Sequence, residues 1–137
     1  MIPRFKVRFS ADAAEGLAAM KAKAATHPNT AEAMTYEAIK KTVQDLIAVP
    51  ELAMDLKFAL KDDLKRVYRV KIGERTRVAY IFSSAKAEAI VLWFGYRKAG
   101  DKRDFYEDFR RRVKRGDFDQ AFETLGVNPP PCRGSIR

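Results

Sequence analysis

Arg69, Lys71 and Arg77 fall in two short stretches, VYRVKI (67–72) and TRVAYIF (76–82), joined by a GER turn. Apolar residues alternate with the cations, which is the period of a half-buried strand. Clustering like charge on one sheet face is unfavourable, through repulsion and desolvation. A face that nevertheless collects cations offers contact with a polyanion. Lys6 and Arg8 alternate with Phe5, Val7 and Phe9 in the same way, and Arg97 follows the apolar run AIVLWFGY. Four separate stretches therefore send cations to one side.

The elements that must hold these residues follow from local pattern. RFKVRFS (4–10) predicts a first strand, and Ser10 is placed to cap a helix from Ala11 to about Ala25. HPNT (27–30) is a break. Asn29 with Glu32 three residues on resembles a capping box for a second helix reaching about Val49, which Pro50 ends. Residues 51–66 read as a short helical turn and a connection. Strands are predicted at 67–72, 76–83 and 89–98, and a helix starts at Asp101 or Asp104 with Phe105, Phe109 and Val113 on one face and Gly116 at its end. A short amphipathic helix over Phe118–Leu125 and an extended or disordered VNPPPCRGSIR tail complete the chain.

This β-α-α-β-β-β-α order implies an α+β fold: a four-stranded, mainly antiparallel twisted sheet with two N-terminal helices on one face and a C-terminal helix. The helices are expected to cover Phe5, Val7, Phe9, Tyr68, Val70, Ile72, Val78, Tyr80, Phe82, Ile90, Leu92 and Phe94. Alternation then puts Lys6, Arg8, Arg69, Lys71, Arg77 and Arg97 on the other face, interleaved with Ala79, Ile81, Val91 and Trp93.

The 137 residues fit one domain over 1–137, with a core of about 3–115 followed by the short helix and Pro-rich tail. Net charge is +9, and its distribution is uneven: residues 61–115 carry 17 basic and 8 acidic groups, whereas the segments before and after are nearly balanced. Such a block suits nucleic acid, an anionic membrane surface or an acidic protein. One cysteine, Cys132, precludes an internal disulfide, and no stretch approaches signal-peptide or membrane-spanning length, so a cytoplasmic protein with no membrane partner is expected. The lone histidine, His27, sits in the HPNT break. It leaves no material for a histidine-based nuclease centre or most zinc sites, so neither metal nor cofactor is expected.

The ordered set LKDDLKRVYRVKIGERTRVAYIF…IVLWFGYRKAGDKRDFYEDF, from Leu60 to Val113, resembles the RelE toxins of the RelE/ParE superfamily. It has the Tyr-cation-x-cation strand, the Arg-x-x-Tyr strand, the apolar strand ending in Gly-x-Arg, and a tyrosine in the last helix. The resemblance implies a type II toxin that cuts mRNA, many members doing so in the ribosomal A site, together with a cognate antitoxin. Position by position, it implies catalytic roles for Arg69, Lys71, Arg77, Arg97 and Tyr106. Three departures stand out: Arg at 69 where lysine is common, a longer Arg97–Tyr106 interval, and extra length in residues 51–66 and after 116.

The implied reaction is attack of an RNA 2′-OH on the adjacent phosphate, giving a 2′,3′-cyclic phosphate and a 5′-OH without metal. Arg77 and Arg97 would stabilise phosphoryl charge, and Lys71, crowded by like charge, would be the base. Trp93 on the same face offers a stacking surface to RNA or belongs to the core. Lys6, Arg8, Lys98, Arg110 and Arg111 are candidate contacts to mRNA or ribosomal RNA phosphates, or simply solvated charge. Two other readings compete: a ParE-like gyrase inhibitor, and a catalytically idle binding relative of the toxins.

Overall fold

The alternating KVRF stretch forms β1 (Lys6–Phe9), and the chain then turns directly into α1 (Ala11–Thr26). Ser10 makes that junction: its hydroxyl accepts from the Ala13 amide at 3.1 Å and donates to the Leu92 carbonyl at 2.6 Å, so one side chain caps the helix and ties it to the sheet. The computed structural model describes residues 3–73, 76–96 and 105–133. The second helix, α2 (Ala31–Thr42), is capped by Thr30, whose hydroxyl accepts from the Ala33 amide, one residue later than the cap expected at Asn29. It runs on as a wider helical turn over Val43–Ile47, and Pro50 opens a new four-residue helix, α3 (Pro50–Ala53), as a proline at a first helical position can. Two 3₁₀ turns, Leu56–Phe58 and Asp62–Leu64, lead to β2 (Tyr68–Ile72), β3 (Thr76–Ser83) and β4 (Glu88–Tyr96). Beyond them lie α4 (Phe105–Arg115), α5 (Asp119–Leu125) and a last 3₁₀ turn, Pro131–Arg133.

The sheet order is β1-β4-β3-β2. The β2-β3-β4 meander is antiparallel as expected, but β1 pairs parallel to β4, so the four-stranded sheet is mixed. Faces also change along β4. Ala79 is opposite Trp93 and Tyr80 is opposite Val91, which leaves Leu92 as an extra residue. This β-bulge reverses the phase of everything before it. Val91 joins Phe94 against the N-terminal helices, whereas Ile90 and Leu92 point with Trp93 to the other side. Expecting Ile90 and Leu92 with Phe94, and Val91 opposite, is corrected by that single residue.

Each face of the sheet carries a core. On one, α1 and α2 bury Phe5, Ile39, Ile47, Val78, Tyr80 and Val91. On the other, α4 and α5 bury Ala79, Ile81, Leu92, Phe109, Phe118 and Phe122. Each fully buried large apolar side chain contributes about 1.5–3 kcal/mol, so both layers matter to stability. The second layer covers the middle of the face on which the cations lie. The segment after Gly126 is also packed, at least to Arg133: Pro130 is buried, Arg133 makes two hydrogen bonds to Asp119, and Arg66 donates to the Pro129 carbonyl. Apolar Val127, Pro130 and Cys132 pull this stretch onto α4, so it is not the free tail its composition suggests.

Candidate active site

The α4–α5 layer leaves one corner of the cationic face uncovered, where β2 meets β3. Lys71 is opposite Arg77, Arg69 is opposite Ala79, and Arg77 is opposite Gly95 of β4. In-register partners share a face, so Arg69, Lys71 and Arg77 are neighbours here. Lys71 is exposed and the two arginines are half-buried. Arg77 donates to the Thr76 carbonyl at 3.1 Å.

The helix α4 brings Tyr106 to this corner. The Arg69 guanidinium donates to the Tyr106 hydroxyl oxygen at 2.7 Å and lies 5.9 Å from the ring centre. The Arg69 Nε is buried and has no hydrogen-bond partner among the described residues. The longer Arg97–Tyr106 interval therefore does not keep Tyr106 away from Arg69.

What lets α4 approach so closely is Gly95. A side chain there would put its Cβ on Phe105 Cδ2. Phe105 instead lies over the bare backbone and stacks on Trp93, with ring centres 5.1 Å apart. Trp93 also stacks on Phe109 at 6.0 Å, and the Arg112 guanidinium sits 4.9 Å from its ring centre. Trp93 is thus part of the packing that seats α4. Arg97 and Lys98 lie outside the described residues.

Lys6 and Arg8 share the cationic face but not this corner. Their strand is at the opposite edge of the sheet from β2, three strand spacings or about 14 Å away. Arg8 pairs with Glu88 at 3.5 Å. The α4 cations are similarly engaged. Arg110 makes a bidentate pair with Asp63 at 2.6 and 3.2 Å, and Arg111 pairs with Asp108 at 3.3 Å. Arg112 and Arg115 both reach Asp117, whose carboxylate holds the Arg115 guanidinium pKa above its ordinary value. The Arg110 guanidinium in turn holds the Asp63 carboxyl below the usual carboxylate range. Burial pushes the Cys132 thiol up, away from the reactive thiolate.

A groove of about 590 Å³ opens beside Arg69 and Tyr106. One wall is the start of α4, with Glu107 and Arg110. The other is the segment 57–64, with Lys57, Lys61 and Asp63. This wall comes from the stretch read as a short helical turn and a connection, and it covers the β2 edge: Ala59 bridges to Tyr68, and the Leu60 amide donates to the Val67 carbonyl at 2.9 Å. Its link to Arg110 spans 47 residues, a distance no local pattern reveals. Among the described residues, no group of three or more His, Cys, Asp or Glu side chains could hold a metal ion. Arg69, Lys71, Arg77 and Tyr106 bring to this corner cationic charge, a lysine side chain and a phenol held by a guanidinium.

Residues 4–128 match the family model of the YhaV toxins, described as toxins with endonuclease activity of toxin–antitoxin systems. A search of curated proteins returns no match to this chain.

Proposed function

The chain belongs to the YhaV toxin family, endonuclease toxins of toxin–antitoxin systems within the RelE/ParE-like group, and from that premise we propose that it is an endoribonuclease cutting mRNA on the ribosome. Family membership also implies a cognate antitoxin. Among the described residues, no helix is long and apolar enough to cross a membrane.

In the proposed reaction the 2′-oxygen bonds to the neighbouring phosphorus and the bond from phosphorus to the 5′-oxygen breaks. Lys71 in its neutral amine form takes the 2′-OH proton, and Tyr106 gives its proton to the departing 5′-oxygen. The products are a 2′,3′-cyclic phosphate and a 5′-OH, with no metal involved. Arg77 and Arg97 stabilise charge on the phosphoryl oxygens as it builds. Arg69 holds the Tyr106 oxygen and stabilises the charge left there. Lys98 and Arg111 contact RNA phosphates, a screened attraction that weakens with salt. The observation that carries this reading is the corner itself: three cations on paired strands, with a tyrosine hydroxyl delivered to them by a helix.

The test is induced expression in a bacterial host beside Arg77→Ala/Arg97→Ala, following growth and mapping RNA 5′ ends by primer extension. The expected result is growth arrest with new cuts inside translated messages, both lost in the double variant. Arrest without RNA cuts would overturn the ribonuclease reading and point to another target, such as gyrase.

A further inference from the structure

Resting on the ribonuclease reading, we infer that Asp63 is a positioning residue: its pair with Arg110 clamps the 62–64 turn to α4 and sets the width of the groove through which the RNA strand reaches Arg69 and Tyr106.

The wall needs such a clamp. Between Asp55 and Asp63 no residue is buried, and Leu56 is 80% exposed. The turn also has an unfavourable backbone. Asp62 has φ 57° and Arg66 has φ 82°, both in the left-handed region that residues other than glycine rarely occupy. Conformations of this kind persist only where their surroundings impose them. Three contacts do so here. Leu64 enters the core under α4, Arg66 donates to the Pro129 carbonyl at 2.9 Å, and Asp63 accepts two hydrogen bonds from Arg110. The C-terminal turn Pro131–Arg133 packs on both α4 and the 62–64 turn, bracing the wall from behind.

The clamp is coupled to the corner by helix geometry. Arg110 is four residues after Tyr106, so the two lie on one face of α4, a turn apart. Tyr106 is bonded to Arg69 on β2, and Arg110 to Asp63 on the wall. One helix face thus forms one wall and holds both Arg69 at the corner and Asp63 on the facing wall. A half-exposed ion pair adds little to global stability, but a bidentate guanidinium–carboxylate fork fixes direction as well as distance. That is what a groove wall of constant position requires. In this assignment Arg110 acts through Asp63 rather than by gripping RNA.

The experiment uses the full chain as wild type, Asp63→Asn, Arg110→Asp and the swap Asp63→Arg/Arg110→Asp. Cleavage of a labelled reporter mRNA in a purified translation mixture is read as kcat and KM. Amide hydrogen exchange at Leu60, Leu64 and Lys65, all hydrogen-bonded in the wall, is read on the same proteins. Both single variants are expected to lower kcat by about tenfold with little change in KM, the scale of a displacement below 1 Å. They should also speed wall exchange, and the swap should restore both. A swap as impaired as Arg110→Asp, with raised KM, would mean that Arg110 holds RNA directly and would overturn the inference. So would unchanged exchange in Asp63→Asn. If the wild-type chain cut no RNA, the ribonuclease reading would fall, and the exchange rates alone would decide whether the pair holds the wall.

Discussion

Substituting Gly95 by alanine puts a methyl group where the Phe105 ring now lies. The new Cβ would be 2.1 Å from Phe105 Cδ2 and 2.5 Å from Cε2. An ordinary carbon–carbon contact is about 3.5 Å, so the ring must retreat by at least ~1.4 Å. It has little room, because it is stacked on Trp93 and Phe109 and meets Tyr106 edge-on. Overpacking of this kind costs about 1–3 kcal/mol. Gly95 is not at positive φ, so replacing a flexible glycine offsets about 0.4–1 kcal/mol of that. The expected net loss is about 1–2 kcal/mol, read from urea midpoints at constant slope. Cleavage should suffer more than stability. Tyr106 is next to Phe105, and a shift above 1 Å breaks its 2.7 Å bond to Arg69; misplacement on that scale costs about 100-fold in rate. In a Phe105→Ala background the obstacle is gone, and Gly95→Ala should become neutral or slightly stabilising. Equal costs in the two backgrounds, additive within about 0.5 kcal/mol, would show that Phe105 does not require glycine at position 95.

Tyr106→Phe should cost only about 0.5–1.5 kcal/mol, the net worth of one hydrogen bond, yet lower cleavage by about 10²–10⁴, the usual contribution of a positioned proton donor; a fall below threefold in reporter-mRNA cleavage would reduce Tyr106 to packing. Tyr80→Phe removes the buried hydroxyl that donates to the Ala53 carbonyl at 2.7 Å and should cost about 1–3 kcal/mol, since that carbonyl loses its partner. Burial raises the Tyr80 phenol above its ordinary pKa of 10.0. The neutral phenol therefore stabilises the fold fully below pH 10, and this contribution is lost as pH climbs toward the higher folded value. Urea midpoints at pH 8 and in strong alkali should show a steeper alkaline decline for the wild type than for Tyr80→Phe, and parallel declines would count against it.

Strand and helix positions were legible because their periods are local. Phe5, Val7 and Phe9 alternate, and so do Val70, Val78 and Tyr80, whatever lies elsewhere in the chain. The phase of β4 was not, because AIVLWF is apolar at every position and reads alike on either face. Only the register against β3 shows that Leu92 is the extra residue. The parallel pairing of β1 was hidden for a similar reason, since alternation fixes faces and not direction. At the site, the order of Arg69, Lys71, Arg77 and Tyr106 along the chain could be read, but the Asp63–Arg110 link and the Phe105 seat on Gly95 could not. Both depend on how α4 docks, which is set by buried contacts remote in sequence.

The puzzle of a sheet face rich in like charge has a geometric answer. The cations occupy the two outer strands and the β3 end beside them, while the middle of the face presents Ala79, Ile81, Ile90 and Leu92. The α4 and α5 helices bury that middle, where an unpaired cation would be prohibitively desolvated. Lys6 and Arg8 at one edge and Lys71 at the other stay solvated. The cations that α4 adds are mostly bound to Asp12, Asp63, Asp108 and Asp117, so much of that charge is neutralised within the molecule. Arg69 differs from both groups: it is drawn partly under α4, its Nε is buried, and it meets the oxygen of Tyr106 rather than a carboxylate. A carboxylate there would quench the positive charge of the corner, whereas a phenol leaves it intact and adds an exchangeable proton. That choice of partner is what a surface built only for solubility would not need, and it distinguishes this corner from the other cationic edges of the sheet.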